Sequence, residues 1–245
     1  MTARPLRLVA FGVVTLLAVA LCVRLGIWQL DRLAQRRAQN AIVTARGTLP
    51  VVDVQGIRTM DTTASHWRRV SITGVAEYDR ELVHGMRTQN GSPGVHLLTP
   101  IRPLGGAWGD TAVLVIRGYL YAPDGRTIDH AAVTEGDTVR LETLVLSYPA
   151  TQATSAVRMP SNARAVRTLD RDTLATMIGR PLAPFVLLAL GDTVVRDISK
   201  PARIPPPAVN EGPHLSYALQ WFGFATVFLI GFVIFARRQP RSRPQ

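Results

Sequence analysis

Residues 217–236, YALQWFGFATVFLIGFVIFA, determine how this chain is organised. Gln220 is the only strongly polar residue among them. A helix of this length spans roughly 30 Å, which is the thickness of the hydrocarbon layer of a membrane. The stretch therefore predicts a transmembrane helix, which we place at residues 214–236.

A second apolar stretch lies near the N-terminus, at residues 8–23, and continues past Arg24 to Trp28. An arginine near the end of a spanning helix can extend its charge to the membrane interface, so Arg24 is compatible with a span. A secretory signal would end in small residues before its cleavage site, and large apolar residues follow here instead. The pattern favours a retained transmembrane helix over residues 8–30, followed by a helical extension over residues 31–46.

The charges beside the two spans predict the orientation of the chain. Basic residues precede the first span in a tail of residues 1–7 and follow the second span in a tail of residues 237–245. Such residues are retained in the cytoplasm, whereas a long loop is translocated largely regardless of its own charge. We therefore expect both tails in the cytoplasm and a domain of residues 47–200 outside it. Three arginines just after the first span favour the opposite orientation: Arg32, Arg36 and Arg37.

The chain is strongly basic, with 28 lysines and arginines against 17 aspartates and glutamates and a net charge of +11. No helix-turn-helix, zinc or aromatic RNA-stacking pattern accompanies this charge. We therefore expect no nucleic acid partner, and instead contacts with the lipid bilayer and with acidic protein surfaces. The single cysteine, Cys22, excludes a disulfide within the chain and is expected to face lipid or another helix.

The residues between the two spans show the pattern of a mainly β domain. Val70 and Ile72 alternate with polar residues. Residues 113–116 and 185–188 form continuous apolar runs, which indicate strands buried on both faces. Turn signals separate such runs at residues 91–94, 105–106 and 123–125.

One short helix interrupts the strands, because Asp170 can cap its start, an apolar face runs from Leu174 to Ile178 and Gly179 can end it. A proline-rich linker at residues 201–213 is predicted to be extended and to return the chain to the membrane. The predicted fold class is a membrane-anchored, mainly β domain between N- and C-terminal transmembrane helices. That domain is expected to be a β-barrel or sandwich with one or two short helices.

The sequence offers no recognisable catalytic set. Its five histidines show no metal-ligand spacing, and it contains neither a Gly-x-Ser-x-Gly elbow nor a phosphate-binding loop. We therefore expect no enzymatic activity and no catalytic residue. An anchored enzyme that acts on a lipid or a peptide is the least favoured alternative.

The start of the second span combines a histidine with aromatic residues. On a helix one stripe contains His214, Ala218, Trp221 and Ala225, and the stripe beside it contains Tyr217, Gln220 and Phe224. The small alanines leave room for a flat apolar ligand or for another helix. A neutral imidazole is the commonest protein ligand of haem iron, but histidine, tyrosine and tryptophan also occur in ordinary interfacial belts. The residues alone leave both interpretations open.

The first helix carries a matching polar edge. Trp28, Arg32 and Gln35 align on one side of it, with Arg24 and Asp31 nearby. This edge is predicted to meet either the polar stripe of the second helix or the acidic surface of a partner. A belt that anchors the helix at the membrane interface is the simpler alternative.

Three blocks of the sequence occur in an order that is typical of one family. The first is LGIWQLDRL at residues 25–33. The second combines GVHLLTP at residues 94–100 with VLVIRGY at residues 113–119, and the third begins with PH and ends with WF at residues 213–222. With the two terminal spans, these blocks resemble the Surfeit locus protein 1 family over nearly the whole chain. Tyr119 stands where that family usually has tryptophan.

The resemblance implies a bacterial member of the family, a plasma-membrane protein with two spans that assists assembly of the haem-copper cytochrome c oxidase. Family members act while haem a is placed in subunit I. The implied partners are therefore subunit I and other oxidase assembly or haem a synthesis proteins, and the implied cofactor is haem a, held transiently. The alternative is a non-haem scaffold or accessory protein bound to the oxidase or its supercomplex.

The resemblance also implies site residues. His214 matches the histidine implied as the axial ligand of the haem iron, and the implied wall of the haem a site is Tyr217, Trp221 and Phe222. Arg117 is expected to contact a haem propionate or a partner. The other expected partner contacts are Trp28, Gln29, Arg32, Gly118, Tyr119 and Gln220. Gly94 and Gly118 are expected to allow a turn or close approach of the backbone.

Overall fold

The computed structural model describes residues 3–149, 158–159, 162–191 and 200–238. The ends of both predicted tails, including Arg241 and Arg243, lie outside the described residues. The chain forms two compact units, one of residues 1–44 with residues 209–245 and the other of residues 45–208.

Among the described residues the α-helices are α1 (Ala3–Gly47), α2 (Thr62–Ser65), α3 (Arg171–Ile178) and α4 (His214–Arg237). The β-strands are β1 (Val52–Asp53), β2 (Arg69–Ala76), β3 (Leu82–Gln89), β4 (Ser92–Pro103), β5 (Ala112–Tyr121), β6 (Thr138–Ser147), β7 (Arg158–Met159), β8 (Asn162–Val166) and β9 (Leu182–Ala189). Short 3-10 helices occur at Val54–Ile57, Tyr78–Arg80 and Ala131–Val133.

The first unit is a pair of long helices. Both α1 and α4 are long and apolar enough to cross a membrane, which confirms the apolar helices predicted at the two ends of the chain. They run antiparallel, because Phe11 near the start of α1 packs on Phe235 near the end of α4, with ring centroids 4.8 Å apart. A Cβ atom on Gly26 would lie 2.6 Å from the ring of Phe222, so the helices approach closely there. The buried small residues of the pair include Gly12, Cys22, Gly26, Ala218 and Ala225.

The second unit is built around a β-barrel. Its sheet has the strand order β1-β2-β6-β9-β5-β4-β3-β8-β7, and β2 also pairs with β4. That pairing places Gly74 beside Pro103 and Ala76 beside Ile101, and it closes the ring β2-β6-β9-β5-β4. β4 pairs with β5 along one side. Along its other side, its first half pairs with β3 and its last residues pair with β2. The predicted small β-barrel or sandwich is therefore confirmed, in the form of a closed barrel.

Apolar side chains fill the barrel. Residues 112–120 of β5 and 185–189 of β9 are all buried, as their continuous apolar runs predict. Trp108 packs edge-on against Phe185, with ring centroids 6.0 Å apart. A small barrel filled in this way is a packed core.

The helix α3 packs on β9, on the face that points away from this core. Asp170 accepts a hydrogen bond from the backbone N–H of Thr173 at 2.9 Å, and Gly179 ends the helix with a φ of 73°. Leu174 and Ile178 are buried. The start, the end and the apolar face of this helix are therefore as predicted.

Two local predictions differ from the structure. The turn expected at residues 91–94 lies at Asn90 and Gly91, which both have positive φ, and β4 already begins at Ser92. The proline-rich linker begins bound to the barrel, because Ala202 and Tyr119 exchange backbone hydrogen bonds of 2.7 and 2.8 Å. The pairing of β5 with β9 stops before Tyr119, so the linker satisfies backbone groups that would otherwise be buried without partners.

Candidate functional site

The segment before α4 is held against α1 by side-chain hydrogen bonds. The carbonyl oxygen of Asn210 accepts a hydrogen bond from Asn40 Nδ2 at 2.8 Å. Glu211 accepts two hydrogen bonds from Arg37, at 2.8 and 2.9 Å. These contacts fix the position at which α4 begins, and therefore the position of its first residue, His214.

The imidazole of His214 is oriented by a side chain of α1. His214 Nδ1 lies 2.9 Å from Gln29 Oε1. An amide oxygen accepts but cannot donate, so Nδ1 carries a proton and Nε2 is the nitrogen that can offer a lone pair to a metal. Gly212 keeps space beside this edge of the ring, because a Cβ atom on it would lie 3.5 Å from Nε2. The half-buried imidazole is therefore suited to bind a metal through Nε2, with Gln29 as its orienting partner.

The aromatic residues expected around His214 do not form one wall. Tyr217 is 47% exposed, whereas Trp221 and Phe222 are half-buried, and the ring of Phe222 lies on Gly26. The stripe that contains Ala218 is buried against α1, so the room beside the alanines is taken by another helix. Phe222 therefore packs on α1 through an edge of its ring, and its place in the wall of a haem a site stays a prediction.

The predicted polar edge of α1 has mixed outcomes. Gln29 contacts His214, but Trp28 is 47% exposed and carries the guanidinium of Arg32 over its ring, 5.6 Å from the centroid. Arg32 Nη1 also donates a hydrogen bond to Gln35 at 3.1 Å. Arg32 thus contacts both Trp28 and Gln35. Gln29, which is expected as a partner contact and not as part of this edge, meets α4 through His214. Gln220, on α4, is exposed.

Arg117, which was expected to contact a propionate or a partner, is buried in the β domain with 1% of its surface exposed. Its guanidinium bridges Glu81 Oε2 at 2.8 Å and Glu135 Oε2 at 3.1 Å. Glu81 is completely buried and also accepts hydrogen bonds from Thr99 and His130. The expectation for Arg117 is therefore wrong, because an arginine on a strand buried on both faces needs acidic partners inside the domain.

Gly118 and Tyr119 are buried as well and contact their own domain. A Cβ atom on Gly118 would lie 2.5 Å from the carbonyl oxygen of Ala202. The hydroxyl of Tyr119 donates a hydrogen bond to the carbonyl oxygen of Pro93 at 3.0 Å. These two residues thus hold the linker and β4, which corrects the expectation that they bind a partner. The close approach expected at Gly94 is confirmed, because a Cβ atom there would lie 2.3 Å from a backbone oxygen of β5.

Sequence reasoning missed the partners of Arg117. Besides Glu81 and Glu135, the cluster contains Arg203, whose Nη2 lies 3.0 Å from Glu135 Oε1 and whose Nη1 donates to the carbonyl oxygen of Arg117 at 2.6 Å. The signal in the sequence is Arg117 itself, a charge in an otherwise apolar run. That charge requires a buried acid, but its sequence position does not say which acid.

Glu81 should make the stability of the β domain depend on pH. Burial raises the pKa of its carboxyl group, but the hydrogen bonds from His130, Thr99 and Arg117 and the charge of Arg117 together outweigh burial, so the pKa lies below the ordinary value. Ionised Glu81 therefore stabilises the fold above the unfolded pKa of about 4.3, and this contribution is lost as the pH falls through the lower folded pKa.

We expect Glu81→Gln to be less stable than the wild type at neutral pH, with a difference that shrinks as the pH falls. The free energy of unfolding of the full chain in detergent, measured at several pH values, checks this. Glu142→Gln is the control, because Glu142 pairs with Arg69 on the surface. A difference for Glu81→Gln that stays constant with pH would contradict the expectation.

Two histidines face each other across β3 and β4. The rings of His84 and His96 are 6.0 Å apart between centroids. Burial and the nearby charge of Arg87 lower the pKa of His84 to about 4, and burial, His84 and Arg87 lower the pKa of His96 to about 3. Both rings are therefore neutral at neutral pH. Across the described ranges of the chain, no group of three or more histidine, cysteine, aspartate or glutamate side chains is placed to hold a metal ion.

Comparison with known proteins agrees with the blocks found in the sequence. Residues 16–226 match the SURF1 family. A SURF1-like protein of Rickettsia felis is 27% identical over 233 residues, which are 92% of this chain and 96% of that protein. One from Rickettsia conorii is 27% identical over 224 residues, 88% of this chain and 87% of that protein. An uncharacterized SURF1-like protein of Mycobacterium tuberculosis is 24% identical over 225 residues, 89% of this chain and 79% of that protein.

The family match begins within α1, continues through the barrel and ends within α4, so it includes part of each apolar helix as well as the β domain. This is the arrangement in which the three sequence blocks occur. The chain belongs to the SURF1 family, the Surfeit locus protein 1 family that those blocks resemble.

Proposed function

We propose that this chain is an assembly factor for the haem-copper cytochrome c oxidase, which assists placement of haem a into subunit I or stabilisation of that subunit. The observation that supports this most is the imidazole of His214, whose Nδ1 proton is bound by Gln29, so that Nε2 is the nitrogen left to bind a metal. A neutral histidine oriented in this way is a common ligand of haem iron. Membership of the SURF1 family supports the oxidase as the target.

The residues around His214 fit haem a at an open edge of the helix pair. His214 Nε2 would hold the iron, Gln29 would keep the ring oriented, and the exposed Tyr217 would contact the side of the ligand. When bound, haem a would supply an iron that His214 Nε2 can hold. Phe222 remains packed on Gly26, so the site is not enclosed. An open site of this kind suits transient holding and release.

The proposed location is the bacterial plasma membrane, with two spans, both termini in the cytoplasm and the barrel domain outside it. The two apolar helices and the basic residues that flank their apolar stretches support this topology. The partners would be subunit I, other oxidase assembly or haem a synthesis proteins, and the lipid bilayer. The role is non-enzymatic, and we assign no catalytic residue.

A second candidate is a non-haem membrane scaffold or accessory protein bound to the oxidase or its supercomplex. The packing of the helix pair favours it, because α1 occupies the space beside Ala218 that a flat ligand between the helices would need. In that case His214 would serve as a helix contact through Gln29. A change of His214 would then weaken binding of this chain to the oxidase without lowering the haem a content of subunit I specifically.

The two candidates are separated by the haem a content of subunit I in cells that lack the endogenous gene and express a variant. We expect His214→Ala to lower the haem a bound per subunit I, while the variant itself accumulates in the membrane. Leu219→Ala is the control, because Leu219 lies in α4 and is 64% exposed. A normal haem a content with His214→Ala would favour the scaffold.

A further inference from the structure

The helix α1 has two different faces along its apolar part. One face packs on α4 through the small residues Gly12, Cys22 and Gly26. An open hollow of about 710 Å³ lies on the other side, and its lining includes Leu21, Arg24, Ile27, Trp28 and Asp31. Leu21 and Ile27 in this lining are 57% and 51% exposed. This outer face of α1 is therefore apolar, wide and not covered by α4.

Two charges of opposite sign stand on the outer face of α1. Arg24 and Asp31 are separated by seven positions, so they lie on the same side of the helix, about 10 Å apart along its axis. Within the part of the chain that the structure describes, neither forms a hydrogen bond or an ion pair. Arg24 also has apolar residues on both sides in the sequence. An unpaired arginine at this position has to extend its charge to the membrane interface. A carboxylate on a neighbouring helix would pair with it where it lies, and ionisable residues within spans usually mark such functional contacts.

We propose that the outer face of α1 is the docking surface for a transmembrane helix of a second protein. That helix carries a carboxylate opposite Arg24 and a cation or hydrogen-bond donor opposite Asp31, and small or apolar side chains in contact with Ile27 and Trp28. The proposal goes beyond the proposed function, because it defines the partner by its chemistry and does not require that partner to be the oxidase.

The order of the charges favours a protein helix over a lipid. Arg24 lies deeper in the apolar stretch, and Asp31 lies about 10 Å closer to its polar end. A lipid phosphate that reached Arg24 would lie deeper in the membrane than the carboxylate of Asp31 and would have to pass that carboxylate, which repels it. A second copy of the chain is also disfavoured, because two parallel copies would place Arg24 against Arg24 and Asp31 against Asp31. A helix with the complementary order of charges satisfies both residues.

The test is site-specific photo-crosslinking of the full chain in living cells. A photoreactive amino acid is placed at Ile27, on the outer face, or at Leu219 of α4 as the control. The depth of the two positions is comparable, because Gln29 and His214 are in contact and the helices run antiparallel. Purified adducts are then digested, and the crosslinked peptide is identified by mass spectrometry.

We expect Ile27 to crosslink to a hydrophobic peptide of another protein that has an aspartate or glutamate within one helical turn of the crosslink. Arg24→Lys should keep the yield, and Arg24→Leu and Arg24→Glu should each lower it at least about tenfold. Arginine at the partner's acidic position should restore the yield with Arg24→Glu. Adducts with lipid or with this chain itself overturn the proposal. A crosslinked peptide without a carboxylate also overturns it. So does a crosslinking yield at Ile27 that is no higher than the yield at Leu219, or one that Arg24→Leu does not change.

Discussion

Arg117→Ala is expected to unfold the β domain. The guanidinium of Arg117 is buried and bridges Glu81 and Glu135, and Glu81 has no exposed surface. Without the arginine, the carboxylate of Glu81 stays buried and loses its main compensating charge. Removing one partner of a buried ion pair costs about 3–5 kcal/mol, which is a large part of the about 5–15 kcal/mol that stabilise a typical domain.

Thermal unfolding of the full chain in detergent, followed by circular dichroism, measures this effect. Arg140→Ala is the matched control, because Arg140 is an exposed residue of β6, and it should unfold as the wild type does. The unfolding temperature of Arg117→Lys should lie between those of Arg117→Ala and the wild type, since lysine keeps the charge but lacks the planar group that bridges both acids. Unfolding of Arg117→Ala at the wild-type temperature would show that the ion pair does not hold the domain together.

Gly118→Ala should release the linker from β5. The new Cβ atom would lie 2.5 Å from the carbonyl oxygen of Ala202, a backbone atom that cannot rotate away. The linker must therefore shift, which breaks the two backbone hydrogen bonds between Ala202 and Tyr119 and loosens the contacts of Arg203. Overpacking of this kind costs about 1–3 kcal/mol.

Limited digestion with trypsin checks this expectation, because the linker carries a cleavage site after Arg203. We expect faster cleavage there in Gly118→Ala and a lower unfolding temperature. Gly56→Ala is the control, because a Cβ atom on Gly56 meets nothing within 4 Å. If both alanine variants are cleaved after Arg203 at the same rate, the close approach at Gly118 does not retain the linker.

Features that depend on neighbouring residues could be predicted from the sequence. The continuous apolar runs of β5 and β9 form buried strands. Asp170 caps the start of α3 with its carboxylate, and Gly179, which has no side chain, ends the helix in a left-handed conformation. The two terminal helices could likewise be predicted from the length and apolar composition of their own segments. Each of these signals lies within a few residues of the structure that it predicts.

Features that join distant parts of the chain could not be predicted in this way. Gln29 is 185 positions from His214, and Glu81 is 36 positions from Arg117, so neither partner follows from sequence spacing. Arg117 is expected to contact a propionate or a partner from the family resemblance, and that expectation requires it to be accessible. Its burial depends on β5 lying at the centre of the sheet, which only the long-range strand pairing determines.

In the proposed function, His214 is a haem ligand oriented by Gln29. The most direct test is the visible absorption spectrum of the detergent-purified full chain after co-expression with a haem a synthesis pathway. We predict a haem a band in the wild type, its loss in His214→Ala, and an affinity at least about tenfold lower in Gln29→Leu, with unchanged circular dichroism in all three. A wild type without the band, or a band of equal strength in His214→Ala, would contradict the claim.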